Sequence, residues 1–235
     1  MFKFLSKYLF TASFVFVLAA CGGGETSSDN ATTLTITKPK TPVVILIYGD
    51  SISQGYGINI YGEYFQQVTP GNTFAELLRL RIKNEKLDEF ASVTVINDSL
   101  GGEFTGEAAA RLPSVLAYHR PTHVILAHGA NDVGSEIPLS TISNNFITMI
   151  NTAKSNGVKV LLADVTPSLF GIEYAGRYSK MVSDTAYLLA ITYVPLLKDV
   201  FGKPVYYYAD GVHIRDSAQN IILNNLWEKL IPLIK

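Results

Sequence analysis

The sequence predicts an α/β fold: a three-layer α/β/α sandwich around a mainly parallel five-stranded sheet. Five short apolar runs are continuous rather than alternating, as strands buried on both faces must be, and each is followed by a longer stretch with helical period. The order βαβαβαβαβα implies right-handed crossovers that place helices on both faces of the sheet. Size agrees with this. The chain has 235 residues, 48% hydrophobic and 17% charged, enough for one sizeable core and too few for two comfortable ones.

The first strand is expected over 43–48, where Val43, Val44, Ile45, Leu46 and Ile47 follow one another without a break. A helix follows over 73–84, opened by Thr73 and Glu76, a Thr-x-x-Glu capping box that satisfies orphan amides of the first turn. Strand two falls at 93–97, its helix at 106–119, and strand three at 123–127. The next helix, 141–155, is stopped by Asn156-Gly157, a helix C-cap pair. Strand four at 159–163, a helix at 177–190, a short strand around 192–194 and a final helix at 216–234 complete the series, with no internal repeat. Ligands of such a sheet bind beyond the carboxyl ends of its strands, so chemistry is expected there.

The first residues read as a separate module. Lys3 and Lys7 precede an apolar run, 8–20, that is too short to span a bilayer comfortably and ends at Cys21. Leu18-Ala19-Ala20-Cys21 resembles the lipobox of bacterial lipoproteins, with Cys21 at the position that becomes acylated. The resemblance implies a signal peptide over 1–20 and membrane attachment through a lipidated Cys21, with the domain facing the periplasm or the exterior. Gly22 after that cysteine favours the outer membrane if the source is Gram-negative. Residues 21–42 are rich in Gly, Ser, Thr, Asn and Asp and read as a flexible tether, leaving 43–235 as the folded domain. Twenty such residues reach about 25 Å end to end, close to the surface without insertion.

Net charge is −1, from 19 basic and 20 acidic residues, which offers no field for drawing in nucleic acid. The single cysteine excludes an internal disulfide framework, and no grouping of His, Asp and Glu has metal-ligand spacing. Neither a metal nor another cofactor is expected, and a protein partner is left open.

Four short blocks stand at or near carboxyl ends of strands. Gly49-Asp50-Ser51 follows strand one, Gly101-Gly102 follows strand two, His128-Gly129-Ala130-Asn131-Asp132 follows strand three, and Asp210-Gly211-Val212-His213 precedes the last helix. Alone, Gly-Asp-Ser is equally an Asx-turn or a helix cap. In this order the four resemble the blocks of the SGNH (GDSL) hydrolases over about 43–235, most of all the bacterial thioesterase I/lysophospholipase L1/arylesterase branch. The stretch from Asn97 to Glu103, with Ala110-Arg111-Leu112-Pro113 beyond it, is similar to that branch and aligns Gly102, rather than Gly101, with its oxyanion glycine.

The resemblance implies a flavodoxin-like fold and a serine esterase. Ser51 would attack the acyl carbonyl, with Asp210 and His213 as its base system. The backbone N–H groups of Ser51 and Gly102 and the side chain of Asn131 would receive the oxyanion. A neutral serine needs a base, and His213 is the histidine with a carboxylate placed to orient it. His119 and His123 read as structural; His128 either touches the site or is a packed core histidine. Asp50 and Asp132 read as loop-fixing acceptors. Ser53 stands where a Gly-x-Ser-x-Gly elbow needs its second glycine, which argues against an α/β-hydrolase.

Ala130 replaces a glycine and Ile214 a proline often found in the branch, and 57–72 is longer than usual. That segment and a second loop carry Tyr56, Tyr61, Tyr64, Phe65, Phe170 and Tyr174, either an aromatic-walled substrate groove or loop-anchoring packing. The expected substrates are small carboxylic esters: lysophospholipid, short or medium acyl or aryl esters, and in vitro also thioesters. A carbohydrate O-deacetylase of the same fold and a non-catalytic envelope-binding lipoprotein are the alternatives.

Overall fold

The computed structural model describes residues 42–55, 71–85, 87, 92–166, 169 and 171–234. These contain β1 (Val43–Gly49), α1 (Ser51–Gln54), α2 (Phe74–Asn84), β2 (Val93–Asn97), α3 (Thr105–His119), β3 (His123–Ala127) and α4 (Ala130–Gly134). Beyond them come α5 (Leu139–Ser155), β4 (Lys159–Ala163), α6 (Ile172–Leu188), β5 (Thr192–Val194), a 3-10 turn at Pro204–Tyr206 and α7 (Asp216–Ile234).

The five strands form one parallel sheet in the order β2-β1-β3-β4-β5. Alternation within each strand explains why the apolar runs are unbroken. Ile45 and Ile47 of β1 and Ile125 of β3 face the core shared with α2 and α7, where Phe74, Leu78, Ile222 and Leu226 are buried. Leu46 and Tyr48 of β1 and Val124 and Leu126 of β3 face the opposite core, packed by Leu112 of α3, Phe146 and Met149 of α5, and Tyr178 and Val182 of α6. Each face needs its own apolar set, so the central strands are apolar without a break over 43–47 in β1 and 124–127 in β3.

The expected fold and all five strands are present, with β1 one residue longer. The helix starts differ more, and each difference has a local cause. Thr73 is the N-cap of α2 rather than its first residue, and the expected capping box forms: Thr73 Oγ1 accepts from the Glu76 amide at 3.2 Å and Glu76 Oε2 accepts from the Thr73 amide at 3.2 Å. Helix α3 opens one residue early, at Thr105, where Glu107 reaches back to the Phe104 amide at 3.0 Å. Pro138, with φ −55°, starts α5 at Leu139 instead of 141.

Helix α6 begins at Ile172, five residues ahead of the expected start, behind Gly171. Its first turn carries Ile172 at 84% exposure and the next holds Gly176, which together mask the amphipathic period. The short helices α1 and α4 were not expected at all. Both sit directly behind strand ends, and both carry residues of the site.

Candidate active site

Strand β1 delivers Ser51 to the carboxyl edge. A Cβ on Gly49 would meet the Ala127 carbonyl oxygen at 2.6 Å and collide with Ser53, so only glycine lets the chain turn this tightly between β1 and β3. Asp50 caps α1, its Oδ1 accepting from the Ile52 amide at 3.0 Å. It is fully buried, and burial pushes its carboxyl up. This is the loop-fixing role expected of it.

The turn after the 3-10 segment supplies the partners of Ser51. His213 Nε2 lies 2.9 Å from Ser51 Oγ, and His213 Nδ1 lies 2.8 Å from Asp210 Oδ2. Asp210 Oδ1 accepts from the amides of Val212 (2.8 Å) and His213 (2.9 Å), which closes Asp-x-x-His into a single turn. The Tyr208 amide donates to the His213 carbonyl at 2.9 Å, and a bridge between Tyr207 and Ile214 clamps the ends of the segment. Burial opposes the charge of Asp210, but the His213 ring and the two amides outweigh it and hold the carboxyl below its usual range. An ionised Asp210 accepts from Nδ1–H and leaves Nε2 as the acceptor toward Ser51.

Gly102 follows β2 with φ +82°, in the left-handed region, and an added Cβ would meet nothing within 4 Å. Its backbone conformation, rather than crowding, is what favours glycine there. Asn131, on α4, donates through Nδ2 to the Glu103 carbonyl at 3.0 Å, which leaves its second amide hydrogen for another acceptor. Neither the Ser51 nor the Gly102 amide has a hydrogen-bond partner among the described residues. Asp132 ties α4 to α3, accepting from the Thr105 amide at 2.9 Å and from its hydroxyl at 2.5 Å.

The remaining histidines are distributed as follows. His119 Nε2 is 2.6 Å from Asp98 Oδ2. His123 lies between Thr122 Oγ1 (2.8 Å) and the Leu233 carbonyl (3.2 Å), and burial pulls it down. His128 is fully buried, with Nε2 at 2.9 Å from Glu103 Oε2, so it stands behind the site as a hydrogen-bonded core residue. In the sequence Glu103 is marked only by its place at the end of the stretch from Asn97. Its eight-residue spacing to Arg111 on the next helix is the one local sign of the pair they form.

Of the aromatic residues, Tyr174 is half-buried against the α3/α5/α6 core, with the Arg177 guanidinium 5.3 Å above its ring. Tyr56, Tyr61, Tyr64, Phe65 and Phe170 lie outside the described residues, as does Cys21. A cavity of about 490 Å³ opens beside the Asp210–His213 turn, lined by Leu169, Pro204, Tyr207, Tyr208, Gly211 and Arg215 among others.

A parallel α/β sheet with a serine, a histidine and a carboxylate in hydrogen-bonded sequence at its carboxyl edge defines a serine hydrolase of the SGNH fold. Residues 47–220 match the GDSL-like lipase/acylhydrolase family. The chain belongs to that family and is a serine esterase acting on small-molecule ester substrates. It is 29% identical over 201 residues to an esterase, TesA, of Pseudomonas aeruginosa, covering 85% of this chain and 93% of the relative. It is 30% identical over 189 residues to an arylesterase of Vibrio mimicus, covering 80% of this chain and 88% of that one. The crystal structure of TesA superimposes with a TM-score of 0.70 at 29% identity, over 81% of this chain and 99% of the other.

Proposed function

We propose that Ser51, His213 and Asp210 are the catalytic triad of this esterase and that hydrolysis proceeds through an acyl-enzyme on Ser51. The observation that supports this best is the unbroken relay from Asp210 Oδ2 through the His213 ring to Ser51 Oγ, at 2.8 and 2.9 Å. His213 Nε2 takes the Ser51 proton as Oγ forms its bond to the acyl carbon, and the carbonyl oxygen becomes an oxyanion. The Ser51 and Gly102 amides and the free hydrogen of the Asn131 side chain receive that charge. Imidazolium then protonates the departing alkoxide as the ester C–O bond breaks. Water repeats the sequence on the acyl-enzyme, its proton passing to Nε2 and then to Ser51, and the carboxylic acid leaves.

The substrates are lysophospholipid, short or medium acyl, or aryl esters, a range supported by relatives named as an arylesterase and, at 25% identity, as thioesterase 1/protease 1/lysophospholipase L1 of Escherichia coli. The enzyme works in a bacterial envelope, held by acylated Cys21. Support for the anchor is the order of basic residues, apolar run and cysteine at 3–21. An envelope site separates the enzyme from cytosolic acyl-CoA and favours lipid or glycan esters over thioesters.

Ser51→Ala is expected to abolish hydrolysis of p-nitrophenyl butyrate, and a serine-directed phosphonate to label Ser51 alone. Full activity in the mutant would sink the mechanism. Turnover of lysophospholipid against acetylated sugar sets the substrate class. The anchor has its own test: Cys21→Ala should move the protein out of the membrane fraction and remove lipid labelling, and unchanged fractionation would refute it.

A further inference from the structure

Behind the oxyanion donors lies a polar cluster that takes no part in the triad. Glu103 follows Gly102 directly, and its side chain is 2% exposed. Arg111 grips the carboxylate with both arms of its fork, Nε to Oε1 at 2.6 Å and Nη2 to Oε2 at 2.7 Å. From the other side His128 Nε2 meets Oε2 at 2.9 Å. Since a carboxylate only accepts, that nitrogen is the one that carries hydrogen.

Each gripping residue is itself held. Arg111 Nη1 donates to Asp98 Oδ1 at 2.8 Å, and its guanidinium lies 4.4 Å from the centre of the Tyr48 ring. His128 packs edge-on against the same Tyr48, with ring centres 4.9 Å apart, and its carbonyl accepts from Tyr178 Oη at 2.9 Å. Burial opposes the charge of Glu103, yet Arg111 and His128 hold its carboxyl below the usual range.

The consequence runs through the backbone of Glu103. Its carbonyl is the acceptor that orients Asn131 Nδ2, and its amide donates to the Leu100 carbonyl at 3.2 Å, closing the turn that contains Gly102. One residue thus ties the loop after β2, helix α3, the end of β3 and helix α4 together at the point where two proposed oxyanion donors meet.

We propose that Glu103 is the positioning residue of the oxyanion hole: clamped by Arg111 and His128, it fixes through its own backbone both the Gly102 amide and the Asn131 side chain. This rests on the assignment of those two groups as oxyanion donors. Donors of this kind act on charge that develops in the transition state, so their displacement lowers kcat and leaves substrate binding almost intact.

The test is steady-state kinetics with p-nitrophenyl butyrate on Glu103→Gln, which keeps the shape of the side chain and removes its charge. The expected result is a kcat lowered about tenfold or more with KM within about twofold, and a phosphonate inactivation rate lowered by the same factor. The midpoint of the pH–rate profile should stay in place, because the Asp210–His213 pair is untouched. Glu103→Asp, which retains the charge, should recover part of the loss. Arg111→Lys, which keeps the positive charge but loses the fork, should show a smaller loss with the same signature and serves if Glu103→Gln does not fold. A folded Glu103→Gln with unchanged kcat, a loss confined to KM, or an Arg111→Lys with unchanged kcat would each overturn the proposal. Ser51→Ala measured alongside separates the two readings: an active Ser51→Ala defeats the triad, whereas an inactive one beside a normal Glu103→Gln defeats only the clamp.

Discussion

Ser51 and His213 meet at 2.9 Å although 162 positions separate them, whereas Asp210 and His213 meet within one turn. The two contacts therefore depend on different things. The short-range one is built into Asp-x-x-His, because Asp210 Oδ1 accepts from two amides of its own turn and leaves Oδ2 for the ring. Asp210→Asn keeps this shape but puts an amide where an acceptor is needed, so His213 takes the wrong tautomer. Its kcat should fall on the order of a thousandfold or more, with the phosphonate labelling rate falling in step. Asn131→Ala removes one proposed oxyanion donor and leaves Ser51 and His213 in contact. There the loss should be roughly a hundredfold in kcat with KM little changed, read from the same steady-state assay.

At the scale of single elements, helix ends carry the most information. Helix α5 closes with the pattern of a Schellman motif: Gly157, at φ +72°, donates to the Lys154 carbonyl at 3.0 Å and Val158 to the Ala153 carbonyl at 3.0 Å. Helix α6 closes in the same way, Ala190 donating to Tyr187 at 3.1 Å and Ile191 to Ala186 at 3.0 Å, but the left-handed position, at φ +49°, is held by alanine. Ala190→Gly should therefore stabilise the protein by about 0.5–1 kcal/mol, seen as a higher urea midpoint with an unchanged slope. Thr73→Ala should act in the other direction by about 1 kcal/mol, since it opens the capping box of α2. The same view explains which elements escaped sequence reading. A C-terminal Gly157 announces the end of α5, while Ala190 announces nothing, and the expected end of α6 overshot by two residues. Helices α1 and α4 span four and five residues, too short to show any period.

Over the whole molecule, charge links the site to stability. Asp98, Glu103 and Asp210 all sit below their usual range: in each case burial opposes the charge, and hydrogen bonds from Arg111, His119, His128 or His213 and neighbouring amides outweigh it. A carboxyl depressed in the folded state adds stability above its unfolded value, about pH 4, and loses it as pH falls toward the folded value. Asp50, raised by burial, works the opposite way, and its effect is already gone below about pH 4. The urea midpoint should therefore drop on moving from about pH 4 to about pH 2.5, and Glu103→Gln should flatten that drop. The sequence by itself determined the sheet, its five strands and the four blocks at the strand ends, because two-sided burial writes unbroken apolar runs and a tight strand exit demands glycine. It also carried the Asp210–His213 contact, which three residues of chain suffice to make. Only the tertiary structure decided that His213 reaches Ser51, that His128 is a core residue paired with Glu103, and that Glu103 holds Asn131. Those contacts join chain segments whose separation in sequence says nothing of their distance. They come into being when parallel strands in the order β2-β1-β3-β4-β5 bring their carboxyl ends to one edge.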